Sequence, residues 1–207
     1  MAVEESQNGQ AMAVDEKRGA EAVVQLFEDR VVKTREPKAY RISELDERLR
    51  RERTRAEAKI MSEARKLGIP TPIVYDVHEY GLEMELIRGK PMKAVISSDL
   101  SRDAGVLVGR LHNGGLIHGD LTTSNMIVCG ERIYLIDFGL SFWDSTQEAR
   151  GVDVHVYYQT LVSSHEDHEA LMAAFAEGYR SAFPLAGEVL RRVREIEYRG
   201  RYKVETP

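Results

Sequence analysis

Asp120 and Asn125 stand five positions apart in IHGDLTTSN, and Asp137 opens the triplet Asp137-Phe138-Gly139 further on. Carboxylates and an amide set into so apolar a run are costly there unless something charged engages them. The chemistry that such a set can do is phosphoryl transfer. One Asp faces an incoming hydroxyl or water as the catalytic base. The Asn and the second Asp offer oxygens to a divalent cation that prefers an octahedral oxygen shell. A turn at Cys129-Gly130-Glu131 would fold the strand after Asn125 back beside the strand before Asp137, so that oxygens from residues 120, 125 and 137 meet around one ion. The cofactors expected are therefore ATP and Mg2+ (or Mn2+). Lys33, in VVKTR, is the candidate cation for the α- and β-phosphates. It needs a carboxylate on the following helix. Glu57 is preferred because it borders the apolar stripe, one position after Ala56 and three before Ile60, and Glu52 is the alternate.

Elements must hold these groups at those offsets. AVVQLF and RVVKTR read as two strands joined by the acidic turn Glu28-Asp29, with Lys33 inside the second. In SELDERLRRERTRAEAKIMSEARKLG, residues Leu45, Leu49, Ala56, Ile60, Ala64 and Leu67 recur at helical spacing. Ser43 with Asp46 forms a capping box there, and Gly68 and Pro70 end the run. TPIVYDV and GLEMELI give a second strand pair before a turn at Gly89-Lys90-Pro91. Helices dominate afterwards. The first is capped by Ser101 and turns Ala104, Leu107, Val108 and Leu111 inward until Gly114-Gly115, and others follow near 153–163, 166–182 and 187–198. The fold class is α+β, with a small strand-rich lobe carrying one long helix, a reduced helical lobe, and the polar run at their junction. Residues 1–18 are small, polar, acidic and aperiodic, and are expected to be a disordered tail. The folded domain is placed at 19–201, divided into lobes at 19–90 and 91–201, with a tail over 202–207.

The bulk numbers narrow the class. A chain of 207 residues with 43% hydrophobic and 30% charged residues is ordinary for a globular domain. No apolar run approaches the ~20 residues of a membrane span, and the start lacks the basic and apolar regions of a signal peptide. Cys129 stands alone, which suits a reducing compartment, with cytoplasm and nucleus both open. The net charge of −5 argues against a nucleic-acid binder, but its distribution is uneven. Residues 30–66 hold 13 Lys or Arg against 7 Asp or Glu, and residues 191–203 hold six against two. These are read as a solvated helix face and a charged tail, with RNA or an acidic protein surface as the alternative partner.

GAEA, VVKTREPKAYRISELDERLRRERTRAEA, LGIPTP, IHGDLTTSN and IDFGLS together resemble the small atypical RIO-related serine/threonine kinases of the KEOPS (EKC) complex, the PRPK family. The likeness runs from about Gly19 to Arg201. It implies a bilobal protein-kinase-like fold, Mg-ATP binding, Ser/Thr autophosphorylation or ATP hydrolysis, and support of threonylcarbamoyladenosine formation on tRNA. Carried across, Asp120 is the catalytic base, Asn125 and Asp137 are metal ligands, Lys33 pairs with the phosphates and Glu57 orients Lys33. Glu21 of GAEA falls where a loop covers the phosphates, and Thr123 and Ser124 lie near substrate or metal. Asp153 of GVDVHVY is expected to anchor the catalytic loop by hydrogen bonds, the plainer reading being a helix N-cap. The implied partners are the threonylcarbamoyl-transferase subunit, on the helical lobe and the C-terminal Arg-Gly-Arg tail, a small KEOPS subunit on the strand lobe, and tRNA through the basic patches.

Departures from ordinary protein kinases carry information too. No two glycines are spaced G-x-G, so the glycine-rich phosphate loop is absent. After Gly139 the next proline is Pro184, so no Ala-Pro-Glu element closes an activation segment. Gly119 stands where an Arg would pair with a phosphorylated loop, and control by a partner is expected instead. Tyr202 and the final Glu-Thr-Pro depart from a more basic tail. His165 and His168 are three apart but read as surface residues, His118 as a prop for the catalytic loop, and Trp143, Tyr157 and Tyr158 as packing. Two other functions compete. A small-molecule phosphotransferase of the aminoglycoside type shares HGDxxxxN but would need a substrate-binding helical insertion, and a scaffold would bind nucleotide without turning it over.

Overall fold

The computed structural model describes residues 13–19 and 21–202. These residues form two compact units. The first contains the chain up to Thr54 together with Ile73–Leu86. Its five-stranded antiparallel sheet has the order β1-β2-β3-β5-β4, where β1 is Asp15–Arg18, β2 Ala22–Leu26, β3 Arg30–Arg35, β4 Val74–Val77 and β5 Gly81–Glu85. On the central strand β3, Lys33 and Arg35 turn to the buried face while Thr34 between them is exposed, as the two-residue period requires. Lys33 sits in register between Val24 of β2 and Leu82 of β5. Gly81 lets β5 approach closely, because a Cβ there would lie 2.8 Å from the Lys33 carbonyl oxygen.

Two expectations for this unit are corrected. The tail does not extend to residue 18, since Asp15–Arg18 pairs with β2 from Asp15 opposite Leu26 to Arg18 opposite Val23. All four of its side chains are exposed, so the pairing rests on backbone hydrogen bonds and one cross-strand bond from Gln25 to Glu16 at 3.0 Å, and leaves no apolar alternation to read. Residues 1–12 and 203–207 lie outside the described residues. The second correction concerns the start of α1, Ser43–Lys66. Ser43 lies inside the first turn with its Oγ 3.4 Å from Glu47, and no capping box forms with Asp46. The Asp46 carboxylate is instead buried, accepting from the Lys38 backbone N–H at 3.3 Å, Arg41 at 3.4 Å and Arg50 at 2.7 Å.

The second unit takes Arg55–Pro72 and the chain from Ile87 onward. The lobe boundary expected at residue 90 is thus displaced to Leu86, and the second half of α1 belongs with the helices. The reason is local. Ile60, Met61 and Ala64 are buried, Arg65 donates to the Thr71 carbonyl at 2.6 Å, and the Leu135 N–H donates to Pro70 O at 2.9 Å. A three-stranded sheet has the order β6-β8-β9, with β6 Lys90–Pro91, β8 Met126–Cys129 and β9 Arg132–Leu135, while β7 Leu116–Ile117 pairs with β10 Phe142–Trp143. Four helices follow in chain order: α2 Ser98–Asn113, α3 Gln147–Ser164, α4 His168–Ala182 and α5 Ala186–Tyr202.

Helices α2 and α4 cross in close contact because both are glycine there. A Cβ on Gly105 would meet the Phe175 carbonyl oxygen at 2.2 Å, and one on Gly178 would meet Arg102 O at 1.9 Å. A ladder of rings backs this crossing, with Tyr157 on Phe175 at 4.5 Å and Phe175 on Tyr179 at 5.9 Å. Ser101 does not cap α2, a role taken by Ser97, whose Oγ accepts from the Leu100 N–H at 3.2 Å. Ser101 is buried one turn inside, its Oγ donating to Leu171 O at 2.7 Å and lying 3.0 Å from the Tyr157 hydroxyl. Tyr157 and Tyr158 are core residues, whereas Trp143 is half exposed on β10, away from the packing role expected of it.

Candidate active site

Strand β7 delivers the segment His118-Gly119-Asp120, and a single 3-10 turn, Thr123–Asn125, swings Asn125 back toward it. The Asn125 Nδ2 donates to the backbone O of Asp120 at 2.9 Å and to its Oδ2 at 2.8 Å. Both partners are acceptors, so the amide nitrogen must face them and the Asn125 Oδ1 faces the other way. The hairpin at Gly130 then works as its sequence suggests. Met126 pairs with Leu135, and the ladder runs one step further, the Ile136 N–H donating to the Asn125 carbonyl at 2.9 Å. Asp137 is the next residue. Strand register therefore brings it beside the turn that holds Asn125 and Asp120.

Asp137 is the one non-glycine residue with positive φ among the described residues, at 61°. A left-handed L-residue costs about 1–2 kcal/mol, and Asp is one of the few that visit the region. The Gly139 N–H donates to Asp137 Oδ1 at 3.2 Å and closes the local turn. Such strain is kept where a side chain has to be aimed.

The loop is anchored from below. Asp153, in the middle of α3 and not at a helix N-cap, accepts the His118 N–H on Oδ2 and the Gly119 N–H on Oδ1, each at 2.9 Å. Burial alone would push this carboxyl up, but the bond from His112, the electrostatic attraction of His112 and His118 and the His118 N–H outweigh it and hold the pKa below the usual Asp value. The ring of His118 ties together the two halves of the site. Its Nδ1 accepts from the Asp120 N–H at 3.3 Å, which leaves Nε2 to donate to the Ile136 carbonyl at 3.1 Å. Phe138 packs on that ring at 4.9 Å and is fully buried. Ser141, which sequence reasoning missed, donates from Oγ to His118 O at 2.6 Å. The only signal for it is a hydroxyl directly after Phe-Gly-Leu.

Gly119 answers why no larger residue stands there. Its φ is +83°, and a Cβ would sit 2.2 Å from the Leu140 carbonyl oxygen.

The remaining predicted residues fall as follows. Lys33 is buried on β3 at 8% exposure, in the first unit, and Glu57 is buried on α1 at 2%, in the second. Glu52, the alternate to Glu57, is 64% exposed beside Arg48. Glu21 has its carboxylate engaged by Arg53 and, at 3.3 Å, by Arg35, and the Arg53 bond holds its pKa below the usual carboxylate range. Thr123 is buried and Ser124 exposed in the 3-10 turn. His168 bonds through Nδ1 to the His165 carbonyl at 3.0 Å. Among the described residues no group of three or more His, Cys, Asp or Glu is placed to hold a metal ion. The oxygen set that suits a hard divalent cation is the mixed one, Asp137 with the Oδ1 of Asn125, beside the carboxylate of Asp120.

A family model described as the RIO domain matches residues 4–152. A probable bifunctional tRNA threonylcarbamoyladenosine biosynthesis protein of Methanosarcina mazei is 57% identical over 189 residues, 89% of this chain and 35% of that protein. The chain thus spans about a third of the length of such bifunctional relatives. A probable serine/threonine-protein kinase BUD32 homolog of Archaeoglobus fulgidus is 52% identical over 184 residues, covering 89% of this chain and 94% of the relative. Among solved structures, the Rio2 kinase-ADP/Mg2+-phosphoaspartate complex from Chaetomium thermophilum superposes with a TM-score of 0.64 over 92% of this chain and 71% of that one, at 16% identity. The amicoumacin kinase hAmiN does so at 0.61 over 86% and 74%, also at 16%. At such identities the likeness is one of fold.

Proposed function

The chain belongs to the RIO-domain family, in its KEOPS-kinase (PRPK) branch, and from that premise we propose that it is an Mg-ATP-dependent atypical kinase and ATPase supporting threonylcarbamoyladenosine formation on tRNA. The observation that carries the reading is the pair of contacts around Asn125. Its side chain holds Asp120 at 2.8 Å, and its carbonyl receives the Ile136 N–H at 2.9 Å, next to Asp137.

In this reading Asp120 keeps Oδ2 on Asn125 and uses Oδ1 to accept the proton of a Ser or Thr hydroxyl, or of water. The new bond forms from that oxygen to the γ-phosphorus as the bond to the ADP oxygen breaks. Asn125 does two jobs, fixing Asp120 through nitrogen and offering Oδ1 to the cation. Asp137 offers its carboxylate. Bound Mg2+ would neutralise charge on the phosphate oxygens. Lys33 supplies a second cation for the phosphates, and Glu57 is the carboxylate assigned to orient it, both assignments resting on the VxK-strand and helix pattern and on the burial of each residue. The partners follow the family: a transferase subunit on the helical unit, a small subunit on the strand unit, and tRNA through basic patches.

The test is Asp137→Ala. Mg-dependent ATP turnover is expected to vanish while the far-UV circular dichroism stays that of the native chain. Turnover at the native level would remove the mechanism, and nucleotide bound by the native chain without product would favour a scaffold.

A further inference from the structure

His112, Asp153 and Tyr179 come from three different helices, α2, α3 and α4, and all three are buried. Their polar atoms form one line. The Tyr179 hydroxyl lies 2.8 Å from His112 Nδ1, and His112 Nε2 lies 3.1 Å from Asp153 Oδ2. An ionised carboxylate only accepts, so a His112 proton sits on Nε2. In the neutral ring Nδ1 is then a lone pair, to which Tyr179 donates. Asp153 in turn holds the His118 and Gly119 N–H groups, and the His118 ring holds the Asp120 N–H. A continuous chain of hydrogen bonds therefore runs from a hydroxyl on α4 to the backbone of the catalytic base.

We infer that Tyr179 and His112 are positioning residues for phosphoryl transfer, acting on Asp120 through Asp153 by holding in line the histidine ring that donates to that carboxylate. The inference rests on the reading of Asp120 as catalytic base. A packing role alone would require only rings of this size at 112 and 179, and Tyr179 does pack against Phe175 and edge-on against His112, at 5.6 Å. The hydroxyl adds nothing to that packing. What it does is tether the ring at a second point: without it the imidazole is held at Nε2 alone and can turn out of line with Asp153. The third donor to Asp153 is then less well aligned, and the two loop amides are held by a carboxylate less firmly placed.

The test uses the full chain and four variants, Tyr179→Phe, His112→Leu, His112→Gln and the double variant Y179F/H112L. Tyr179→Phe keeps the ring. Glutamine carries an amide N–H at about the reach of histidine Nε2, so it restores the donor without the imidazole. For Tyr179→Phe we expect a loss of kcat of roughly tenfold, the rate equivalent of one hydrogen bond, with the KM for ATP within about twofold. His112→Leu should lose more, His112→Gln should recover most of it, and Tyr179→Phe should cost nothing further in the His112→Leu background. Amide exchange at His118 and Gly119 should follow the same pattern. An unchanged kcat in Tyr179→Phe, an equal loss in both backgrounds, or no recovery with glutamine would each overturn the relay. If the native chain turned over no ATP the functional reading would fail by itself. The exchange pattern would then decide the relay: supported if the amides loosen in Tyr179→Phe without further loosening in the double variant, overturned otherwise.

Discussion

Replacing Asp153 by Asn changes one atom and tests the anchoring of the loop directly. The carboxylate serves three donors: Gly119 N–H at 2.9 Å on Oδ1, and His118 N–H at 2.9 Å and His112 Nε2 at 3.1 Å on Oδ2. An amide has one acceptor and one donor end. Its best orientation keeps the oxygen on the Oδ2 side, where two donors converge, and turns the NH2 group against the Gly119 N–H. One charge-assisted bond, about 1.5–3 kcal/mol, is lost and a buried donor is left unpaired, costing about 1–3 kcal/mol more. The sum, about 3–5 kcal/mol, is a large part of the 5–15 kcal/mol that holds a typical domain together. At about 2–4 °C per kcal/mol for a chain of this size, the melting temperature should fall by about 10 °C. Thermal unfolding followed by far-UV circular dichroism reads this, and amide exchange should loosen more at Gly119 than at His118. A variant melting within about 2 °C of the native chain would show that the carboxylate does not carry the loop, and the account of the site would lose its foundation.

Three further outcomes are expected. Gly119→Ala combines a left-handed backbone with a Cβ 2.2 Å from Leu140 O, and should destabilise the chain by about 3 kcal/mol and lower ATP turnover, measured by denaturant unfolding and a coupled assay. Because the Asp153 pKa is held below its ordinary value of 3.8, its contribution to stability is complete above about pH 4 and is lost as the pH falls through the folded-state value; an acid titration of stability should steepen in that range for the native chain and flatten for Asp153→Asn. Glu57→Gln should raise the KM for ATP severalfold, whereas Glu52→Gln, at an exposed position paired only with Arg48 at 4.0 Å, should stay near the native value, and the reverse ranking would reassign the carboxylate.

How much of this could be read from residues alone depends on the range of each interaction. Asp120, Asn125 and Asp137 lie within eighteen positions of one another, and a turn plus one hairpin are enough for spacing to place Asn125 on Asp120 and the backbone of Asp137 next to the residue paired with Asn125. Lys33 was placed on a strand by the alternation around it. The two capping assignments failed because a serine or aspartate can serve its own turn or a distant partner equally well. Ser101 bonds to Leu171, and Asp46 bonds back to Lys38 and to two arginines. Strand β1 escaped because its four residues, Asp-Glu-Lys-Arg, bury no side chain. His112 and Tyr179 are 67 positions apart, and the only local sign was a histidine directly after the buried Leu111 in the stripe of α2.

Position 119 links this geometry to regulation. An arginine there would pair with a phosphate on the segment that follows Gly139, but its Cβ would lie 2.2 Å from the Leu140 carbonyl oxygen. The structure uses that closeness differently. Backbone meets backbone at Gly119 and Leu140, Ser141 donates to His118 O at 2.6 Å, and β10 pairs with β7 through Phe142 opposite Ile117. The segment after Asp137-Phe138-Gly139 is thus fastened to the catalytic loop by neutral hydrogen bonds and sterics. A charge added to it would find no arginine at position 119 to meet it. Close packing of the two segments is the physical ground for expecting no phosphate switch through position 119, with control by a partner expected instead.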